Sequence, residues 1–172
     1  ELLVPRESAL EVYDTLLAAG ADLGILPVGL RSVASLRLEK GYRDYGHDID
    51  NADTPLTAGL HWVSDLDKPG GFIGLTAYRA ELDRGAPASR LVSVLMADPE
   101  PLLFEAEVLL RDGVPVGDVR AASYGWTLGA AVGLASVRAS EAVTEEWIEA
   151  GSWEVDIAGR RHPARVSLTP HL

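Results

Sequence analysis

The sequence predicts an α+β protein in which helices come first and a small antiparallel barrel or sandwich follows. Apolar residues recur at helical spacing up to about residue 83, whereas from Arg90 onward the pattern becomes short β-type runs separated by turns. Between the two regimes lies Gly85-Ala86-Pro87-Ala88-Ser89, the natural boundary, which divides the chain into 1–85 and 86–172.

In chain order, Leu2-Leu3-Val4 reads as the tail of a strand ended by Pro5. A helix follows over about 7–19, with Leu10, Tyr13, Leu16 and Leu17 on one face and Gly20 as its stop, so Tyr13 is expected in the core. Pro27 forbids regular helix until Gly29. A second helix then spans about 30–40, and Gly41 stands where a left-handed cap belongs. Residues 60–66, centred on His61-Trp62-Val63, have strand character, and Asp67-Lys68-Pro69-Gly70-Gly71 is a turn. A short helix over about 75–83 closes the first part. The β-type runs are 90–96, 106–110, 114–119, 121–126, 130–137, 153–157 and 161–168, with hairpin turns at Arg111-Asp112-Gly113 and Ala158-Gly159-Arg160.

Composition narrows the function classes. The 172 residues are 47% hydrophobic, carry a net charge of -11 and contain no cysteine. The acidic balance argues against nucleic acid as a partner. No apolar run has the length of a membrane span and nothing resembles a signal peptide, so the expectation is a cytoplasmic protein with no membrane partner. Disulfides and thiolate metal sites are excluded. His47, His61, His162 and His171 lack metal-ligand spacing, so no metal site is expected. Asp44, Asp48, Asp50 and Asp53 do not follow the calcium-loop pattern. No nucleophile elbow, phosphate loop or dinucleotide glycine fingerprint is present.

The second helix raises the functional question. Leu30, Val33, Ala34 and Leu38 form its apolar stripe, with Arg37 inside the stripe and Glu39 roughly 180° away beside Ser32 and Ser35. A carboxylate in a last helical turn meets the negative end of the dipole. An arginine on an apolar stripe needs a partner, which the acidic run 44–53 can supply. Two readings stand: Glu39 receives a ligand while Arg37 locks the following loop, or Glu39 is solvated and Arg37 snorkels. His47 is read as a hydrogen-bonded group among loop carboxylates, with acid–base chemistry as the alternative.

Leu36-Arg37-Leu38-Glu39-Lys40-Gly41-Tyr42, Tyr45-Gly46-His47-Asp48-Ile49-Asp50 and Thr54-Pro55-Leu56-Thr57-Ala58-Gly59-Leu60 resemble the folate-binding region of the aminomethyltransferase (glycine-cleavage T-protein) family. The form is most like the C-terminal part of dimethylglycine and sarcosine dehydrogenases and oxidases. Lys68-Pro69-Gly70-Gly71-Phe72-Ile73-Gly74 resembles the Lys-Pro-x-x-Phe-Ile-Gly signature, although Leu75 stands where a basic residue is usual. Asp118–Leu128 and Val132-Gly133-Leu134-Ala135 resemble segments of the family's Greek-key barrel.

The resemblance implies that 1–85 is the C-terminal portion of the folate-binding domain and 86–172 the barrel domain, both within a longer protein. It implies tetrahydrofolate as cofactor, with Glu39 holding the pterin, whose adjacent N–H donors a carboxylate can accept pairwise. Tyr42 and Tyr45, with Trp62, are candidates to stack on the pterin or benzoyl ring, or else to pack half-buried. Tyr124 and Trp126 match the barrel segment that faces the folate-binding body. The implied function is that of a flavin-dependent N-methyl amine dehydrogenase or oxidase. An upstream domain carrying FAD would oxidise the amine to an iminium, and tetrahydrofolate would capture the one-carbon unit. No residue here matches the family's catalytic aspartate, so no catalytic residue is assigned and the chain alone is expected to be inactive. The alternatives are an aminomethyltransferase of the glycine cleavage system and a non-catalytic folate-binding or scaffold module.

Overall fold

A computed structural model describes residues 2–172 and divides the chain into two compact units, Glu1–Val33 and Ala34–Leu172. In the first, a 3-10 turn at Arg6–Ser8 leads into helix α1, Ala9–Gly20, followed by a second 3-10 turn at Ala21–Leu23. Gly20 is buried against Ile25, whose N–H donates to the Gly20 carbonyl at 3.2 Å. Residues 2–5 form no strand, because no ladder partner is present among the described residues. Tyr13, expected in the core, is half exposed with Leu10 and Leu16. Within its unit α1 packs on its two flanking turns.

Helix α2, Leu30–Glu39, ends in a Schellman cap. The Tyr42 N–H reaches the Arg37 carbonyl at 2.8 Å and the Gly41 N–H reaches Leu38 at 3.0 Å, with Gly41 at φ 64° as expected. The buried face of α2 differs from the expected one: Ser35, Leu38 and Glu39 are buried, while Leu30, Val33 and Leu36 are exposed. Residues 54–60 form a helical turn. Thr57 Oγ accepts the Thr54 N–H at 2.9 Å and Thr54 Oγ accepts the Thr57 N–H at 3.2 Å, a reciprocal cap with Thr57 in the place usually held by Glu or Gln. Residues 60–66 are not a strand. His61–Val63 is a 3-10 turn, closed by the bonds of Val63 N–H to Leu60 and Ser64 N–H to His61, and no strand among the described residues pairs with it. Helix α3, Leu75–Leu82, packs Tyr78 inward, its hydroxyl 2.9 Å from His61 Nδ1.

Six strands then form a closed antiparallel barrel: β1 (Ser89–Met96), β2 (Val108–Arg111), β3 (Val114–Gly125), β4 (Ala130–Arg138), β5 (Trp153–Ile157) and β6 (Arg160–Ser167). Their order around the barrel is β1-β4-β3-β2-β5-β6, with β6 pairing back to β1. The meander β2-β3-β4 with β1 returning beside β4 is a Greek key. The two runs 114–119 and 121–126 are one strand, β3, interrupted by a bulge where Arg120 has no partner between Val119 and Ala121. Asp112-Gly113 and Ala158-Gly159 all have positive φ, the conformation of two-residue type I′ hairpins.

From Leu91 to Met96 strand β1 is apolar at every position but the buried Ser93, because both its faces are buried. Val92, Val94 and Met96 fill the barrel with Ala131, Ala135, Val119 and Val155. Leu91 and Leu95 point outward with Val132 and Leu134 against Leu38 of α2. A short helix α4, Glu145–Glu149, was not anticipated; Thr144 caps it by accepting the Trp147 N–H at 3.1 Å. Its Trp147 meets Trp153 edge-on at 5.6 Å and carries the Arg111 guanidinium 4.3 Å above its ring.

Candidate functional site

The end of α2 and the loop after it carry two buried carboxylates, Glu39 and Asp48, with opposite surroundings. Asp48 lies wholly out of solvent and is paired with Arg37, whose Nη1 contacts Oδ2 and whose Nη2 lies 3.3 Å from Oδ1. Asp48 also accepts the Asp44 N–H at 2.8 Å and faces His47 Nδ1 at 3.1 Å. Arg37 donates further to the Tyr42 carbonyl at 3.1 Å, so it ties the loop back onto the helix it leaves. The partner expected for Arg37 is therefore Asp48. His47 takes the hydrogen-bonded position, with Nε2 3.7 Å from Glu105.

Glu39 is 2% exposed and has no cationic partner among the described residues. Its carboxylate is held by the turn between β3 and β4, 88 residues away in sequence. Oε1 accepts the Thr127 N–H at 2.7 Å and the Leu128 N–H at 3.2 Å, while Oε2 accepts the Thr127 hydroxyl at 3.0 Å. One helical turn earlier, the Ser35 hydroxyl donates to the Tyr124 carbonyl at 2.6 Å. Positions i and i+4 of α2 thus clamp the hairpin at the end of β3 and at the tip of its turn. Gly125 makes the approach possible: a β-carbon there would stand 3.1 Å from both Glu39 Oε1 and Val132 Cγ1 and 3.2 Å from the Ala130 carbonyl.

An ionised carboxylate offers about four acceptor positions, two on each oxygen. Both positions on Oε1 are filled and one remains on Oε2. A two-point grip on adjacent N–H donors needs an open position on each oxygen, so this arrangement offers a single contact instead of the expected pair.

The other sequence candidates are not gathered around that carboxylate by any hydrogen bond. Tyr42 and Tyr45 are exposed, as is Trp62. Tyr45 lines an apolar recess of about 180 Å³ with Ile49, Pro55, Ala58, Leu60 and Val63. That volume is comparable to the roughly 150 Å³ apolar cavity that accommodates benzene. Tyr124 donates its hydroxyl to the Gly129 carbonyl at 2.8 Å and meets Trp126 at 4.9 Å in a tilted pair, with Trp126 largely exposed. Thr127 and Leu128 were not singled out by the sequence, since a hairpin tip carries no periodic signal of a partner so distant. Among the described residues no cluster of His, Asp and Glu is suited to a metal ion, and no helix is long and apolar enough to cross a membrane.

A Greek-key barrel clamped to the end of a preceding helix by a buried carboxylate defines a two-part α+β module, and the comparisons give its family. Residues 1–68 match the GCVT N-terminal domain and residues 90–172 match the glycine cleavage T-protein C-terminal barrel domain. The chain belongs to the aminomethyltransferase (glycine-cleavage T-protein) family. It is 42% identical over 170 residues to a 4-methylaminobutanoate oxidase (formaldehyde-forming) of Paenarthrobacter nicotinovorans, covering 99% of this chain and 20% of that protein. It is 34% identical to the mitochondrial sarcosine dehydrogenase of Mus musculus, covering 98% of this chain and 18% of the other. An aminomethyltransferase of Xanthomonas axonopodis pv. citri (strain 306) is 34% identical across the whole chain, which spans 42% of it. The crystal structure of glycine cleavage system aminomethyltransferase T from Bartonella henselae superposes with a TM-score of 0.75 at 25% identity, over 95% of this chain and 43% of that one. The chain therefore spans less than half the length of each of these relatives.

Proposed function

We propose that this chain is the folate-facing part of a flavin-linked N-methyl amine oxidase or dehydrogenase, with residues 1–85 belonging to the folate-binding body and 86–172 to the barrel. The observation that carries the ligand reading is Glu39, a buried carboxylate held by neutral donors alone, with one acceptor position unfilled. An anion kept in place without a neutralising cation is costly to bury. The reaction class is supported by the similarity to an oxidase and a dehydrogenase across nearly the whole chain.

Tetrahydrofolate, when bound, supplies the nitrogen that takes up the one-carbon unit. Glu39 would hold the pterin through an N–H donated to its carboxylate, with Tyr45 and its apolar recess available to the benzoyl ring and the exposed Tyr42 as a further aromatic contact. These residues bind and orient, and none on this chain is assigned an acid–base step. FAD belongs to a part of the protein outside this chain, where the amine substrate is also met.

A second reading has its own support. The oxidase relative is named as formaldehyde-forming, and Glu39 serves the barrel contact whether or not a ligand is present. On that reading the module is a scaffold without folate. On the full-length protein the visible spectrum, expected to carry a flavin band, tests the oxidase or dehydrogenase class, and a titration with 5-formyltetrahydrofolate separates the two readings. The proposal expects saturable binding that weakens about tenfold or more, equivalent to about 1.4 kcal/mol, in Glu39→Gln. An unchanged dissociation constant removes Glu39 from the site, and no binding at all leaves the scaffold.

A further inference from the structure

We infer that Thr127, at the tip of the barrel hairpin, is the positioning residue that fixes the plane of the Glu39 carboxylate for its ligand. The inference rests on the reading of Glu39 as the ligand-binding carboxylate. The two bonds to Oε1 come from backbone N–H groups of Thr127 and Leu128 and would persist with almost any side chain there. They pin one oxygen and leave the terminal torsion of the side chain, which is intrinsically broad, free to swing the other. The single side-chain donor that stops this swing is the Thr127 hydroxyl, 3.0 Å from Oε2.

That hydroxyl fills one acceptor position of Oε2 and so selects the direction in which the remaining one points. Ser35 anchors the Tyr124 carbonyl, Gly125 admits the carboxylate between Val132 and the Ala130 carbonyl, and Leu38 seats the helix end in the apolar cluster outside the barrel. Thr127 itself lies on the exposed side of the turn, so its hydroxyl is not needed to fill the core. The barrel domain thereby contributes a specificity-determining group to a site whose ligand-contacting residue lies on α2.

The test is a mutant cycle on the full-length protein, titrated with 5-formyltetrahydrofolate. Thr127→Val removes the hydroxyl at nearly constant shape and is expected to weaken binding about ten- to twentyfold, the low end of the scale of a lost hydrogen bond to a charged group. Thr127→Ser should restore binding to within about threefold of wild type. In Glu39→Gln/Thr127→Val the loss should equal that of Glu39→Gln alone, because Thr127 acts through Glu39. If Glu39→Gln weakens binding while Thr127→Val does not, or if the two losses add, the positioning role is wrong and the ligand reading stands. If Glu39→Gln itself has no effect, the ligand reading fails and this inference with it. Thr127→Ala serves in the cycle if the valine variant does not fold.

Discussion

Replacing Glu39 by alanine and by glutamine should have different consequences for stability, and the difference follows from which atoms the hairpin uses. Alanine removes the acceptor of three hydrogen bonds and cuts the polar tie between α2 and the barrel. Bonds to a charged group contribute about 1.5–3 kcal/mol each in protected surroundings. Here the carboxylate is buried but Thr127 is exposed, so water can resatisfy its N–H and hydroxyl once the carboxylate is gone. The charge no longer has to be desolvated either. The net cost of Glu39→Ala is therefore about 2 kcal/mol, a fall in midpoint of about 4–8 °C for a protein of this size. Glutamine keeps the tie. The two backbone N–H groups fix its amide oxygen at the Oε1 place, which leaves the amide nitrogen at the Oε2 place, where Thr127 Oγ can turn to accept. Glu39→Gln should cost under about 1 kcal/mol, while replacing the open acceptor with a donor that opposes any incoming N–H. Thermal and urea unfolding of the three proteins measures this. Equal midpoints for wild type and Glu39→Ala, or a glutamine variant as unstable as alanine, would refute the clamp.

Arg37→Met should destabilise by about 3 kcal/mol in urea unfolding, because Asp48 is left buried without its cation. Adding Asp48→Asn should recover part of that loss, and a double variant as unstable as the sum of the two singles would contradict the pairing. His171, with Nε2 3.3 Å from the Ser93 carbonyl, has its pKa pushed below the usual 6.5, mainly by burial. Its neutral form is favoured in the folded state, so the associated stability is present in full above about pH 6.5 and is lost as pH falls through the lowered folded value. Unfolding midpoints recorded across that window should therefore slope less in His171→Gln, and an unchanged slope would assign the acid sensitivity to other groups.

The elements that local chemistry determines were legible in the sequence. Gly41 announces its left-handed cap, Asp112-Gly113 and Ala158-Gly159 announce their hairpins, and β5 has the boundaries its alternation predicts. Arg37 on an apolar stripe called for a carboxylate, and the loop supplied Asp48. Failures arose where a distant partner decides the outcome. His61-Trp62-Val63 has strand-like residues but pairs with no strand among the described residues, and local turn bonds prevail. The helical wheel of α2 put the apolar stripe inside, yet Ser35 and Glu39 are buried because a hairpin 88 or 89 residues away offers a carbonyl and two N–H groups at the right spacing. Helix α4 had a readable signal in Thr144 followed by two glutamates, but five residues are too few for apolar periodicity to register.

The proposal that Glu39 meets the ligand, and Asp48 does not, rests on the contrast between these two buried carboxylates. Asp48 receives both nitrogens of a guanidinium fork, a backbone N–H and a histidine contact, so its charge is neutralised and its acceptor positions are taken. It has nothing left to offer, and its removal should be felt as instability. Glu39 is equally hidden, yet its donors are neutral and one position stays open. A fold that needed only a tie between α2 and the barrel could make it with a neutral side chain, as Ser35 does one turn earlier. Retaining a charge at Glu39 incurs a desolvation cost that the tie alone does not require. A ligand donor at the open Oε2 position would offset that cost, and loss of folate binding in an alanine variant alone would not reveal it, since alanine also loosens the barrel. The glutamine variant separates the two roles, because it holds the hairpin and withdraws only the acceptor.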